Sequence, residues 1–413
     1  MLACVQSVGF ESHETQTQRL KQGGGMRFMR WGPAVVVAAF VLAACGFGGT
    51  SSSSTSGPVK IGVPVPLSGD LTNFGQDLGN GAKLAAADIN SKGGIKGGQV
   101  QILEEDDQCD AQVGVQAAEK LVTEGIVGIV GSFCSGAAIP ESGVLRQHGD
   151  LPFIAPTASN PKFTEQGYDN VYRIGFRDDS EAPIDAAYIR DYLKATHVAI
   201  LHDNTTFAKG LADLVKAQLP ASDVVFYDAI TPGQRDYSAT MVRIASKSPD
   251  VLYYTGLYPE WSVIIQNYTA LKYTFKLFGG GATADPSVIK VVGDAINNPN
   301  ITSVTAPTLD LMTNVQQYSA NYKKTFNQDP GQYGVFEYDA VEAFAAAANK
   351  AGSLKGSDLN AALHSNSYDG LSGTVSFDAK GDRKSLPPFF AITGQNKQYV
   401  VAVKYLNGAW AAA

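Results

Sequence analysis

VKIGVPVPLSGDLTNFGQDLGNGAKLAAADINSKGGIKGGQVQILEEDD, residues 59–107, sets the fold class. It opens with an apolar, β-branched run at 59–67, the pattern of a buried strand. Leu78, Ala82, Ala85 and Ile89 then recur at helical spacing and put one apolar face along the next segment. Lys92-Gly93-Gly94 ends that helix with a glycine stop. A second strand follows at 100–107. Strand, helix and strand in direct succession form the unit of a parallel sheet.

Read outward, the rhythm continues. A helix begins after Asp110, a capping residue. Strand 126–132, a helix from Ser135 and strand 152–159 follow. The pattern restarts after 171–175 with helices at 180–195, 206–219, 236–248, 260–273 and 285–297. Between and after them lie strands at 197–203, 223–230, 250–257, 275–280 and 301–307. Helices at 314–329, 334–351 and 357–365 precede a β-rich tail. What repeats is the architecture, two α/β units of similar length. Two doubly wound parallel-sheet lobes facing each other would enclose a cleft. Ligands bind such sheets outside the carboxyl ends of their strands. That rule points to residues 67–75, 132–136, 155–161, 203–207, 256–260 and 279–285.

Composition excludes several function classes. The chain has 413 residues, 44% hydrophobic and 17% charged, with a net charge of −7. A mildly acidic chain without a basic run longer than two residues is a poor candidate for binding nucleic acid through its phosphates. No phosphate-loop, nucleophile-elbow or zinc-protease motif occurs. His13, His148, His197, His202 and His364 show no paired ligand spacing, so neither catalysis nor a metal is expected. Gly279-Gly280-Gly281-Ala282-Thr283-Ala284 matches a dinucleotide fingerprint only in outline, with no acidic residue ending a following strand. It reads as a tight turn, and no cofactor is expected. Residues 378–384 lack the acidic spacing of a calcium loop.

The N-terminal part carries an address. Residues 31–44 are apolar, too few to span a bilayer, and follow Arg27 and Arg30, as in a secretory signal. Leu42-Ala43-Ala44-Cys45 resembles the lipobox of bacterial lipoproteins, which implies lipidation of Cys45 and anchoring at the membrane surface by two or three acyl chains. The alternative is an ordinary signal with an accidental cysteine. Residues 1–44 are thus an upstream extension and signal peptide, and 45–57 a flexible Gly/Ser tether. The signal proper starts at Met26, so residues 1–25 look like an over-extended start. Cys109 and Cys134 remain, an even pair in an exported protein, and are expected to form a disulfide; the alternative is a free buried pair.

Several stretches read together are more specific: IGVPVPLSGDLTNFGQ, GAKLAAADINSKGGIKGGQVQILEEDDQCD, VGSFCSG, PFIAPTASNPKFT and LYYTGLYPE. They resemble the Leu/Ile/Val-binding protein family, the type I periplasmic-binding fold of ABC importers, from about residue 58 to 405. The cysteine pair matches the family's disulfide positions. The resemblance implies two lobes joined by three crossovers near Gly175, Ala306 and Lys384. Lobe 1 would be 58–175 plus 306–384, and lobe 2 would be 176–305 plus 385–413. It implies a monomer that closes on a small solute and presents it to a permease and its ATPase.

The resemblance also implies site residues. Ser135 would hold a ligand carboxylate at a helix N-terminus, where its plainer role is a capping serine. Thr157, Ala158 and Ser159 would add backbone groups and a hydroxyl. Phe74, Phe207 and Tyr333 would form aromatic walls, or else belong to the core. Leu257 stands where the family has a tyrosine, with Tyr258 one place later. Gly281 stands where the family has the acid that pairs with the ligand ammonium; Asp285 would replace it only if its loop bent inward. The expected function is a lipid-anchored receptor for branched-chain amino acids or a related solute. Amine-free ligands (amides, urea-like compounds, carboxylic acids) and a sensor for a signalling partner are the alternatives.

Overall fold

The computed structural model describes residues 57–307, 309–312, 314–385 and 388–412. The expected signal, Cys45 and the tether through residue 56 lie outside them. The first lobe is built from β1 (Val59–Val65), α1 (Thr72–Ser91), β2 (Val100–Asp106), α2 (Ala111–Thr123), β3 (Ile129–Val130), α3 (Ser135–Gln147), β4 (Phe153–Ala155) and β5 (Val171–Arg173). Its five strands lie in the order β2-β1-β3-β4-β5, all parallel. Leu78, Ala82, Ala85 and Ile89 are all buried on one face of α1. Gly93 and Gly94 both have positive φ, and the Gly94 N–H returns to the Ile89 carbonyl to close the helix. The Asp110 carboxylate caps α2 by accepting from the N–H groups of Gln112 and Val113.

The second lobe continues with α4 (Asp178–Ala187), β6 (Val198–His202), α5 (Thr206–Gln218), β7 (Val224–Ala229), α6 (Ser238–Ala245), β8 (Val251–Thr255), α7 (Tyr258–Ala270), β9 (Lys276–Gly279), α8 (Ser287–Val292) and β10 (Ile301–Thr305). The chain then returns to the first lobe as α9 (Gln316–Phe326), α10 (Gly334–Ala351), α11 (Gly356–Ser365) and the hairpin β11 (Tyr368–Gly370) and β12 (Gly373–Val375). Helix α10 packs on α1 so closely that a Cβ on Gly81 would lie 2.1 Å from the Gly334 carbonyl oxygen. A final passage adds β13 (Phe389–Gln395), antiparallel to β10, then β14 (Gln398–Leu406) antiparallel to β13 and β15 (Ala409–Ala412) antiparallel to β14. The second sheet therefore runs β15-β14-β13-β10-β9-β8-β6-β7 and is mixed, not wholly parallel.

Three differences from the sequence pattern have local causes. Strand β3 is only two residues long because Gly131, at φ 147°, turns the chain out of the sheet. Strand β4 ends at Ala155 because Pro156 has no N–H for the ladder. The expected helix at 285–297 breaks at Gly293 (φ 58°) into α8 and a 3₁₀ turn. Among the described residues no helix is long and apolar enough to cross a membrane.

Candidate functional site

A cavity of about 360 Å³ lies between the carboxyl ends of the two sheets, within the usual size range of small-molecule sites. The first lobe contributes the loops after β3 and β4 and the start of α10. The second contributes the loops after β6, β8 and β9, and the crossovers add Gly175, Ala306 and Arg383. The lobes touch across it. Tyr258 packs edge-on against Phe74, with centroids 5.3 Å apart, and its hydroxyl accepts from Asn73. The Asn160 amide donates to the Thr206 carbonyl at 3.0 Å.

The polar end is the start of α3. Cys109 and Cys134 are bonded as a disulfide across 25 residues of chain, which ties the loop after β2 to the residue preceding Ser135. Loop closure of this length contributes about 3 kcal/mol. Helix α3 has no side-chain cap. The N–H groups of Ala137 and Ala138 both return to the Cys134 carbonyl. Those of Ser135 and Gly136 have no acceptor among the described residues, and both residues line the cavity. Ser135 is 2% exposed, and its Oγ accepts from the Asn160 N–H at 3.2 Å, which leaves its hydroxyl hydrogen free to donate. Free N–H groups and the helix dipole favour an anion there.

Thr157 and Ser159 also line the cavity. The Thr157 hydroxyl donates to the Phe133 carbonyl at 3.0 Å, so its side chain braces the wall. Ala158 is not on the wall. It is buried in the core, and its carbonyl accepts from the guanidinium of Arg173. Phe74 is also off the wall. It lies one layer behind, stacked on Phe133 at 4.5 Å, and it is Phe133 that faces the cavity together with Tyr333. Phe133 lies in the 132–136 segment to which the strand-end rule points, but is not among the wall residues expected from the sequence. Tyr333 is placed by a long-range device. The Asp77 carboxylate on α1 accepts from the N–H groups of Gly331, Tyr333 and Gly334 and from the Tyr322 hydroxyl.

From the second lobe, Phe207, Leu257 and Gly281 line the cavity. Asp285 does not. It is buried and caps the start of α8 by accepting from the Ser287 N–H at 2.6 Å. The acid on this wall is Glu181, on α4, outside the strand-end segments to which the sequence pointed. It is 1% exposed, and its Oε1 accepts from the Gly281 N–H at 2.6 Å. Burial pushes the Glu181 carboxyl up, and the charge of Asp178 adds to that; the Gly281 hydrogen bond acts in the opposite direction. Asp185, one turn further along α4, is also pushed up by burial and by Glu181, and it accepts from the Tyr253 hydroxyl.

Two α/β lobes that close on a cavity with a helix N-terminus at its polar end define a type I periplasmic solute-binding protein, a receptor and not an enzyme. The chain belongs to the periplasmic binding protein family, which matches residues 58–395 and whose members act outside the cytoplasm. It is 32% identical to the leucine-specific-binding protein of Salmonella typhimurium over 337 residues, covering 81% of this chain and 90% of that one. It is 32% identical to the Leu/Ile/Val-binding protein of Escherichia coli strain K12 over 352 residues, 83% and 93% of the two chains. In fold it is similar to the substrate-binding protein LivJ of Streptococcus pneumoniae, solved with isoleucine. That similarity has a TM-score of 0.75 at 23% identity and covers 86% of this chain and all of that one. A solute-binding protein of R. palustris, solved with benzoate, has a TM-score of 0.72 at 20% identity, covering 86% and 98%.

Proposed function

We propose that this protein is the substrate-binding protein of an ABC importer that takes up branched-chain amino acids or a related small carboxylate. The observation that carries the reading is the uncapped start of α3. Two free N–H groups and the Ser135 hydroxyl meet in a cavity whose apolar wall includes Phe133, Phe207, Leu257 and Tyr333. A carboxylate head and an apolar body fit that arrangement. The 32% identity to leucine-binding relatives supports the same ligand class.

The lobes, 58–175 with 306–384 and 176–305 with 385–413, close by rotation about the crossovers near Gly175, Ala306 and Lys384. The closed form then delivers its ligand to a permease served by an ATPase. Lipid on Cys45 holds the monomer at the outer side of the membrane by the 46–57 tether. An aromatic carboxylate is the second reading, favoured by the number of rings around the cavity, which also include Phe176 and Phe336.

The test is thermal melting of protein stripped of ligand by unfolding and refolding, against leucine, isoleucine, valine, simple amides and aromatic acids. Ligand at 100 times its dissociation constant adds about 2.7 kcal/mol, a shift of a few degrees. A shift with a branched-chain amino acid supports the reading. A shift only with aromatic acids moves the assignment to the second. Replacing Cys45 with serine should release the protein from the membrane fraction, and retention there would count against the anchor.

A further inference from the structure

The second-lobe wall carries a feature that goes beyond the carboxylate site. Of the acids lining the cavity, Asp110 is exposed and committed to capping α2, which leaves Glu181. We propose that Glu181 is the specificity-determining residue for an amino group on the ligand. Its carboxylate, fixed by the Gly281 N–H, supplies the counter-charge that selects amine-bearing carboxylates over amine-free ones. This rests on the receptor reading above and narrows it.

The space at Gly281 supports the assignment. A Cβ built on Gly281 would lie 3.1 Å and 3.3 Å from the two carboxylate oxygens of Glu181. The Glu181 carboxylate therefore fills the volume that a side chain at 281 would enter. The acid arrives at this spot from α4 instead of from the loop after β9, and glycine at 281 leaves it room, since a Cβ there would push the carboxylate back by a few tenths of an ångström.

The surrounding charges leave the place for a cation open. Asp178, Glu181 and Asp185 are all buried along one face of α4. Arg173 and Arg177, whose charges act on Asp178, are engaged by Asp382, and Arg177 also by Asp179 and Glu165. Arg383, on the cavity wall, is held by the carbonyls of Thr374, Ile174 and Ser372. The other groups that face the cluster are hydroxyls: Tyr253 of β8, which donates to Asp185, and Tyr333 at the start of α10. Burial pushes all three carboxyls up, and the positive charges of Arg173 and Arg177 act on Asp178 alone of the three. Ser135 and Glu181 stand on opposite lobes. A zwitterion that engages both would couple closure of the cleft to the presence of both charges on the ligand.

The test is isothermal titration of leucine and valine, and of their amine-free counterparts 4-methylpentanoate and 3-methylbutanoate, into the wild-type protein and Glu181→Gln. Glutamine is nearly isosteric, and its amide oxygen keeps the Gly281 hydrogen bond. The expected result is a wild-type preference for the amino acids and a loss of about tenfold or more in their affinity in the variant, the usual effect of removing a charged hydrogen bond. The amine-free acids should change little. Melting of both proteins checks the fold, and Glu181→Asp, which keeps the charge, should restore part of the preference. Equal amino acid affinity in both proteins overturns the inference while the receptor reading stands. So does a wild-type protein that prefers the amine-free acids, or a variant that loses both ligand types equally. Binding of none of the four to the wild type overturns the inference and the aliphatic ligand class together.

Discussion

Arg173 Nε lies 2.9 Å from Asp382 Oδ1, an ion pair that fastens the approach to the third crossover to the strand that enters the first. Arg173 is fully buried and Asp382 nearly so. The guanidinium also donates to the carbonyls of Ala158 and Asn160 and to the Thr164 hydroxyl. Arg177, at the start of α4, reaches the other Asp382 oxygen at 2.8 Å. Removing the acid strands a buried guanidinium. Asp382→Ala should therefore lose about 3–5 kcal/mol of stability, read as a lowered midpoint in urea unfolding. A midpoint unchanged from wild type would mean that the hinge does not depend on this pair.

Ser135→Ala removes one donor from the start of α3 and leaves the backbone N–H groups in place. Affinity for a carboxylate ligand should fall by about 1.5–3 kcal/mol, and the empty protein should itself lose about 1–3 kcal/mol of stability because the buried Asn160 N–H loses its acceptor. Titration calorimetry reads this directly. Unchanged affinity would remove Ser135 from the anchor.

Asp77 tests positioning at a distance. Asp77→Asn replaces an acceptor of three backbone N–H groups by an amide that must turn a donor toward one of them. The variant should lose about 1.5–3 kcal/mol of stability and weaken ligand binding, because Tyr333 loses its fixed place on the wall. If binding survives at full strength in a folded variant, Tyr333 is not a determinant of the site.

The buried carboxyls set a pH dependence. Asp178 is pushed up to about 7, chiefly by burial, and Glu337 is pushed well above the ordinary value by burial and by the nearby Glu104. Groups raised in this way hold more protons folded than unfolded. Their contribution to stability is complete below the ordinary carboxyl range and is lost as pH rises through the folded values. The ligand-free protein should therefore lose the Asp178 part of this stability between roughly pH 4 and pH 7. Both Glu337 carboxylate oxygens lack a partner, and Glu337 is not part of the cavity wall. Glu337→Gln should raise stability more at the alkaline end than at the acid end, measured by urea unfolding at each pH. A pH-independent difference between the two proteins would contradict the assignment.

What could be read in advance follows the range of the interactions. The face of α1, the Asp110 cap and the glycine stop after Ser91 are local signals, and each stands where its residues put it. The disulfide followed from cysteine usage in an exported chain. The exchange of Phe74 for Phe133 on the wall was not legible, because it depends on how two rings from different elements stack. Ala158 was lost to an arginine from β5, and Tyr333 depends on an acid of α1. Glu181 is the partial case. Asp178, Glu181 and Asp185 share one face of α4 with spacings that the sequence displays, and acids on a buried helix face call for an explanation.

The second sheet is interrupted by the whole of α9 to β12, and its strands β13 to β15 come from residues 389–412. A folding chain can assemble the parallel half of that sheet first, yet β10 keeps an unpaired edge until β13 joins it. The second lobe thus reaches its finished form only after residues 389–412 have joined it. A truncation before Phe389 would leave a bare β10 edge open to other chains, where one might have hoped for a smaller working receptor.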